Sequence, residues 1–270
     1  MFAMLLGVAA LWGAAAGLLV PRAAYRFSVE PDDAWRDSCP AGHPFSGVAR
    51  GWLGSPRCAA CAGVRTVPRA AAVASSASDA GSDEAGRTAE RYAPSLLAPV
   101  VTALGCTVLA AATGLRPELV VWLLLAPVAV LLATVDRRVH RLPDQLTLPL
   151  AGAAALLLGG AALLPEHAGS WTSALLGGLA LGGFYLLLFL INPNGMGFGD
   201  VKLALSLGVA LGWYGWAIVC AGGFAGFVFG SVYGFGLMIL RRAGRKTGIP
   251  FGPFMIGGAL LGLVLGGLAA

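Results

Sequence analysis

Charge is what this chain has least of. Of its 270 residues only 11% are Asp, Glu, Lys or Arg, while 57% are hydrophobic, against about 25% charged in an ordinary soluble domain. That shortage excludes a soluble globule of this size, whose surface needs charge to stay in water. Histidine is equally scarce, with three in the chain, and from residue 94 onward there are five acidic residues: Glu118, Asp136, Asp144, Glu166 and Asp200. No serine or cysteine nucleophile with a plausible base stands where the acids gather. No internal repeat is present. The excess of 18 Lys and Arg over 13 Asp and Glu gives a net charge of +5, yet the basic residues occupy gaps between apolar runs rather than one stripe. They report membrane topology and no nucleic-acid partner.

What is abundant is apolar runs near the roughly 18–20 residues that cross a bilayer. Runs bounded by charge, Pro or Gly predict helices at about 2–20, 95–113, 118–136, 147–164, 172–191, 200–213, 216–240 and 251–268. The fold class is an all-α polytopic membrane protein with about eight transmembrane helices, and the lipid bilayer is its first partner. The opening run, MFAMLLGVAALWGAAAGLLVPR, lacks a basic n-region and carries Arg22 and Arg26 after its apolar stretch. It reads as a retained span with its N-terminus outside. Eight spans from that start put 21–93, 137–146, 192–199 and 241–250 in the cytoplasm, and these segments with their flanks hold nearly every Lys and Arg; Arg116 alone falls outside. Both termini then lie outside a multi-pass inner or plasma membrane protein. GWYG at 212–215 is expected to be an interfacial aromatic turn.

Three regions follow: a first transmembrane helix at 1–20, a cytoplasmic segment at 21–93 and a membrane-embedded domain at 94–270. The middle segment ends in AAAVASSASDAGSDEAGRTAER, small, polar and without periodicity, which reads as a flexible linker. Glycines such as Gly177, Gly178, Gly182 and Gly183 in one span, and Gly222, Gly223, Gly226 and Gly230 in another, read as close helix packing.

The acids carry the chemistry. Glu118 and Glu166, beside Pro117 and Pro165, read as solvated loop charges, whereas Asp136, Asp144 and Asp200 fall at the cytoplasmic ends of spans. An ionisable group at a membrane boundary is costly unless paired or wet, so a functional role is the default there. Asp200 closes NPNGMGFGD, where Gly195, Gly197 and Gly199 leave a backbone of little bulk that an extended substrate can approach. Two carboxylates meeting in a water-accessible niche share one proton, one acting as base toward water and the other as acid toward a scissile carbonyl. The same pair could serve a proton- or cation-coupled transporter, but that class needs helix breaks near the midplane, and here the acids sit at one edge.

Asp136 followed by RRVHRLPDQLTLP, GMGFGDVKL with Asp200 and Lys202, and IPFGPF at 249–254 together resemble the bacterial prepilin peptidases, or type IV leader peptidases, among the GxGD intramembrane aspartyl proteases. The resemblance covers about 95–265. It implies that Asp136 and Asp200 are the catalytic dyad, that water is the nucleophile and that the peptidase chemistry needs no cofactor. It also implies substrates: prepilin-like or pseudopilin proteins with a short basic leader and a hydrophobic helix, cut after a Gly at the cytoplasmic face. Asp144 competes with Asp136; in LPDQLT it stands as a helix-capping residue would, and with Gly197, Gly199 and Lys202 it is assigned to the substrate-binding surroundings. Some relatives also N-methylate the new terminus. No glycine-rich strand-to-helix signature for that cofactor occurs here, and methyl transfer is not assigned.

Cysteine divides by location. Cys106 and Cys220 lie alone within spans and read as small apolar packing residues. Cys39, Cys58 and Cys61 lie in the cytoplasmic segment, where a disulfide is disfavoured. With His43 they offer CPAGH and RCAAC, a spacing suited to a structural, tetrahedral zinc site in a small module after the first helix. Many relatives carry a second CxxC pair; here Gly42 stands where its second Cys would be, and His43 substitutes.

Overall fold

The computed structural model describes residues 1–30, 33–52, 58, 60–61, 96–193, 195–240 and 250–270. The predicted linker at 70–91 and the basic stretch at 241–249 lie outside them. Among the described residues all regular structure is helical: α1 (Phe2–Gly17), α2 (Val20–Phe27), the single turn α3 (Val48–Gly51), α4 (Leu97–Thr113), α5 (Glu118–Val139), α6 (Asp144–Ala161), α7 (Trp171–Ile191), α8 (Phe198–Gly212), α9 (Trp216–Ile239) and α10 (Gly252–Ala269).

Each of the eight predicted spans is present as a helix, and five are long and apolar enough to cross a membrane: Phe2–Phe27, α5, α7, α9 and α10. The first extends beyond its predicted end. Pro21 at the start of α2 has no N–H to give, so the chain breaks at Leu18–Leu19 and resumes as a second helix to Phe27. Helix α4 is apolar but 17 residues long. Helix α8 has 15 residues, about 22 Å at 1.5 Å per residue, short of a roughly 30 Å hydrocarbon core. It need not face lipid. Val201, Leu203, Ala204, Ser206 and the run Gly208–Gly212 are all buried, so α8 is the central rod around which α6, α7, α9 and α10 pack, and a helix surrounded by protein is apolar all round.

Small residues let the rods approach. A Cβ on Gly208 would sit 2.5 Å from the Gly177 carbonyl oxygen, and one on Gly177 would sit 2.7 Å from that of Gly208, so α7 and α8 touch backbone to backbone. Gly13 does the same against Thr102 at the α1–α4 contact, at 2.7 Å. Gly183 has open space around it and serves no such contact. Trp122, Leu132, Leu158, Tyr185, Leu203, Leu211 and Trp213 form the core at these crossings. Large apolar side chains on the other faces point outward, Leu179 at 67%, Phe224 at 70% and Val232 at 66% exposure, as lipid-facing helices require.

Three expectations give way. Trp213 of GWYG is buried rather than interfacial: the loop at Gly169 lies directly against it, and the Trp213 carbonyl accepts the Ser170 N–H at 3.0 Å. Glu118 is not a solvated loop charge. It is fully buried in the first turn of α5, where one oxygen accepts the Ala168 N–H at 3.3 Å, because the 166–170 loop folds over it. Cys106 packs in a core with Ala9, Ala110 and Leu119, but Cys220 is exposed on the outer face of α9.

Candidate active site and metal centre

Asp136 lies one turn before the end of α5, where His140 in a left-handed conformation (φ 51°) closes the helix and donates its N–H to the Asp136 carbonyl at 2.8 Å. The side chain is buried, and its Oδ2 accepts the Gly252 N–H at 2.9 Å. Gly252 opens α10, followed by Pro253. The first amides of a helix have no partner within it, and this one is aimed at a carboxylate from α5. A Cβ on Gly252 would stand 2.8 Å from that same oxygen, so the third motif is glycine because the carboxylate fills the space.

Asp200 is built in the same way at the start of α8. It occupies the third helical position after Gly197, and its Oδ2 reaches back to accept the Gly197 N–H at 3.3 Å, the acidic half of a capping box. The two carboxyls are buried, and Asp200 lies close enough to Asp136 to feel its charge. Tyr185 of α7 also senses Asp200, and its ring stacks on Phe227 (5.4 Å between centroids) and lies 6.3 Å from Phe251. Motif segments 116 residues apart thus converge on one pole of the bundle, each fixing a carboxylate with a helix-start amide.

The other predicted site residues have distinct places. Asp144 is at the first position of α6 with Pro143 as the cap, one residue inside the capping place expected from the sequence. It pairs with Lys202 of α8 at 2.6 Å, the Asp144 side chain largely exposed and the Lys202 side chain 15% exposed. Lys202 also lies 4.8 Å over the Phe198 ring. Gly199 is pressed against Leu142, whose Cβ would be 2.9 Å from an added one, while Gly197 has only Asp200 and Gly199 within 4 Å. Asn194 of this loop lies outside the described residues. The signals not read from sequence are the Gly252 amide, for which the Gly-Pro pair opening an apolar helix is the clue, and Tyr185, which nothing in its own run of leucines distinguishes.

The cysteine module folds onto α2. Arg22 donates to the Ser46 carbonyl at 3.0 Å and lies 4.6 Å over the Phe45 ring; Arg26 donates to the Arg50 carbonyl at 3.1 Å and lies 3.9 Å over Trp52. Cys39, His43, Cys58 and Cys61 place their ligand atoms within 4.8 Å of one another. The Cys39–Cys61 sulfurs are 3.7 Å apart, and His43 Nδ1 lies 3.5 Å from the first and 3.4 Å from the second. An ion bonded tetrahedrally at about 2.3 Å to sulfur and 2.0–2.1 Å to nitrogen needs separations of roughly 3.8 and 3.5 Å, so this cluster could hold a metal. The Cys61 backbone N–H lowers the Cys58 thiol pKa, whereas desolvation pushes Cys61 up to about 11. Gly42 has φ +82° in the turn between Cys39 and His43, a conformation that a cysteine there would adopt only under strain.

A family model described as the type IV leader peptidase family matches residues 123–267, the stretch that contains both aspartates and Gly252. Among curated proteins, the chain is similar to the prepilin leader peptidase/N-methyltransferase of Aeromonas salmonicida (strain A449), 39% identical over 136 residues, covering 49% of this chain and 45% of that protein. The proteins of the same name from Pseudomonas aeruginosa, 34% identical over 145 residues (51% and 44% covered), and Bacillus subtilis, 26% identical over 156 residues (57% and 58%), are further relatives. The chain spans about half the length of the curated relatives it matches. No solved structure matches. The chain belongs to the type IV leader peptidase family.

Proposed function

We propose that this protein is an intramembrane aspartyl endopeptidase that removes the short basic leader of type IV prepilin-like or pseudopilin precursors at the cytoplasmic face of the membrane. The observation that carries the reading is the meeting of Asp136 and Asp200 at one pole, each with one oxygen held by a backbone amide of a helix start. Holding Oδ2 leaves the other oxygen of each carboxylate for water and substrate. The dyad shares one proton. The ionised member takes a proton from water as its oxygen bonds to the scissile carbonyl carbon, and the protonated member gives its proton to the carbonyl oxygen. Collapse of the tetrahedral adduct breaks the C–N bond, the proton taken from water passes to the leaving nitrogen, and the diol returns the other to the dyad. No covalent intermediate forms.

The substrate's extended segment passes over the open backbone at Gly197, with Gly199 pressed back against Leu142 and the Asp144–Lys202 pair at the exposed margin meeting its polar groups. The pole is cytoplasmic in this reading, with both termini outside. Arg36 lies near Arg138, two residues beyond Asp136, and Phe27 and Glu30 share a pocket with Arg141 and Asp144; this supports the reading, since the positive-inside bias assigns the basic segments to the cytoplasm. Residues 94–270 form the peptidase domain, 1–20 the first anchor and 21–93 the cytoplasmic insertion. Zinc is the ion we assign to Cys39, His43, Cys58 and Cys61, on donor chemistry and spacing; it organises a module with little core of its own and supplies no step in hydrolysis.

The test is cleavage of a prepilin-like precursor by the purified full chain in phospholipid nanodiscs, followed by mass of the products. Release of the leader after its Gly, persisting when a chelator is added, supports the proposal. An intact precursor with properly folded protein, or cleavage abolished by chelation and restored by zinc in the dyad's presence, overturns it.

A further inference from the structure

A second feature of the bundle has no part in the chemistry above. Between α4, α5, α8 and α10 lies a cavity of about 580 Å³, walled by apolar side chains such as Val101, Ala129, Ala133, Ile256 and Leu260. Its two hydroxyls are already satisfied. Thr134 donates to the Val130 carbonyl at 2.7 Å and Ser206 to the Thr147 carbonyl at 3.2 Å, so the walls ask nothing polar of an occupant. The polarity is at the rim, where Arg137 and Arg138 lie. Both are exposed, neither has a carboxylate partner among the described residues, and Arg138 lies near enough to Arg36 for the two charges to repel. An apolar hollow that ends at uncompensated guanidiniums asks for a molecule with an apolar tail and an anionic head.

The size decides between a lipid tail and a polypeptide. One turn of helix, about 10–12 Å wide and 5.4 Å long, fills roughly 500 Å³, so the cavity would take a single turn and no continuous span. It falls within the roughly 300–1,000 Å³ range of single-ligand pockets. Juxtamembrane arginines attract anionic headgroups.

We propose that this cavity is a binding site for an anionic phospholipid, its acyl chain between α5 and α10 and its phosphate on Arg137 and Arg138. Because Pro253 and Arg137, at the cavity's edge, are chain neighbours of Gly252 and Asp136, the lipid stands against the back of the hydrogen bond that fixes Asp136.

The experiment places the full chain in phosphatidylcholine nanodiscs with a trace of phosphatidylglycerol that carries a photoreactive acyl chain, or its phosphatidylcholine analogue, and maps the adducts by mass spectrometry. The expected result is labelling at Ala129–Ala133 and Ile256–Leu260 that is about tenfold stronger with phosphatidylglycerol and falls to the phosphatidylcholine level in R137Q/R138Q. Ala133→Phe, which fills the hollow, abolishes labelling of α10; if that variant fails to fold, the arginine pair alone decides. Equal labelling by both headgroups, adducts confined to outer-face residues such as Phe224 and Val232, or exclusion of the lipid by a photoreactive hydrophobic helical peptide that labels the same walls would overturn the proposal.

Discussion

At Gly252 a single missing carbon is what lets two helices share a carboxylate. Its N–H holds Asp136 at 2.9 Å, and the space its Cβ would take is 2.8 Å from the same oxygen. Gly252→Ala is therefore expected to push Asp136 out of position without disturbing the fold, lowering the cleavage rate by about 10- to 100-fold, with helix content by circular dichroism and thermal stability in detergent close to wild type. Asp144 is of another kind. Its carboxylate stands at the exposed margin of the ion pair with Lys202, and pairs open to solvent contribute about 0–1 kcal/mol. Asp144→Asn is expected to cost no more than that in stability and to leave kcat within a few-fold, with any effect appearing in KM. Asp136 and Asp200 stand out as candidates in the sequence because acids are rare here and because Gly and Pro mark where helices stop and start. The amide that holds Asp136 could not, since it is contributed from 116 residues away.

At the level of elements, backbone contact between α7 and α8 carries the central rod that presents Asp200. Gly208→Ala inserts a methyl where the Gly177 carbonyl oxygen would be 2.5 Å distant; overpacking of this kind costs about 1–3 kcal/mol. Gly183→Ala, with open space around the position, is expected to stay within about 1 kcal/mol of wild type or gain slightly from better helix propensity. Thermal unfolding of the two variants side by side separates packing glycines from spare ones. Sequence alone makes Gly177, which faces Gly208, and Gly183 look alike, as it makes Glu118 look like a loop charge and Trp213 an interfacial residue. The helices were legible in length and apolarity, but whether a loop such as 166–170 folds back over a residue depends on tertiary contacts that periodicity does not encode. The break at Pro21, by contrast, follows from a residue type, but in the sequence it coincides with the end of the apolar run.

For the whole molecule, the membrane bundle and the Cys-His module are two devices joined through α2. Metal binding needs deprotonated sulfur, and desolvation together with the neighbouring Cys39 and Cys58 sulfurs pushes the Cys61 thiol up to about 11. An ion bound there must displace that proton, so the affinity of the proposed zinc site is expected to rise with pH and the metal to be lost on acidification. Elemental analysis of the purified chain is expected to give one zinc per molecule, and none for Cys58→Ser with Cys61→Ser. The zinc-free variant is expected to unfold at lower temperature yet still cut substrate under mild conditions, because the hydrolysis proposed for Asp136 and Asp200 uses no metal. The overall class and the pole at which charge and acids gather were readable from composition and from positive charges between spans. The cavity between α5 and α10 was not, since it exists only once those helices are set side by side.

The most direct measurement is leader removal from a prepilin-like precursor by wild type, Asp136→Asn, Asp200→Asn and Asp144→Asn at matched protein levels. Loss of at least about 1,000-fold in rate for each of the first two, some 4 kcal/mol of transition-state stabilisation, with cleavage retained by Asp144→Asn, is the expected result. Cleavage that survives Asp200→Asn, or that is lost with Asp144→Asn and kept with Asp136→Asn, would contradict a dyad formed by Asp136 and Asp200.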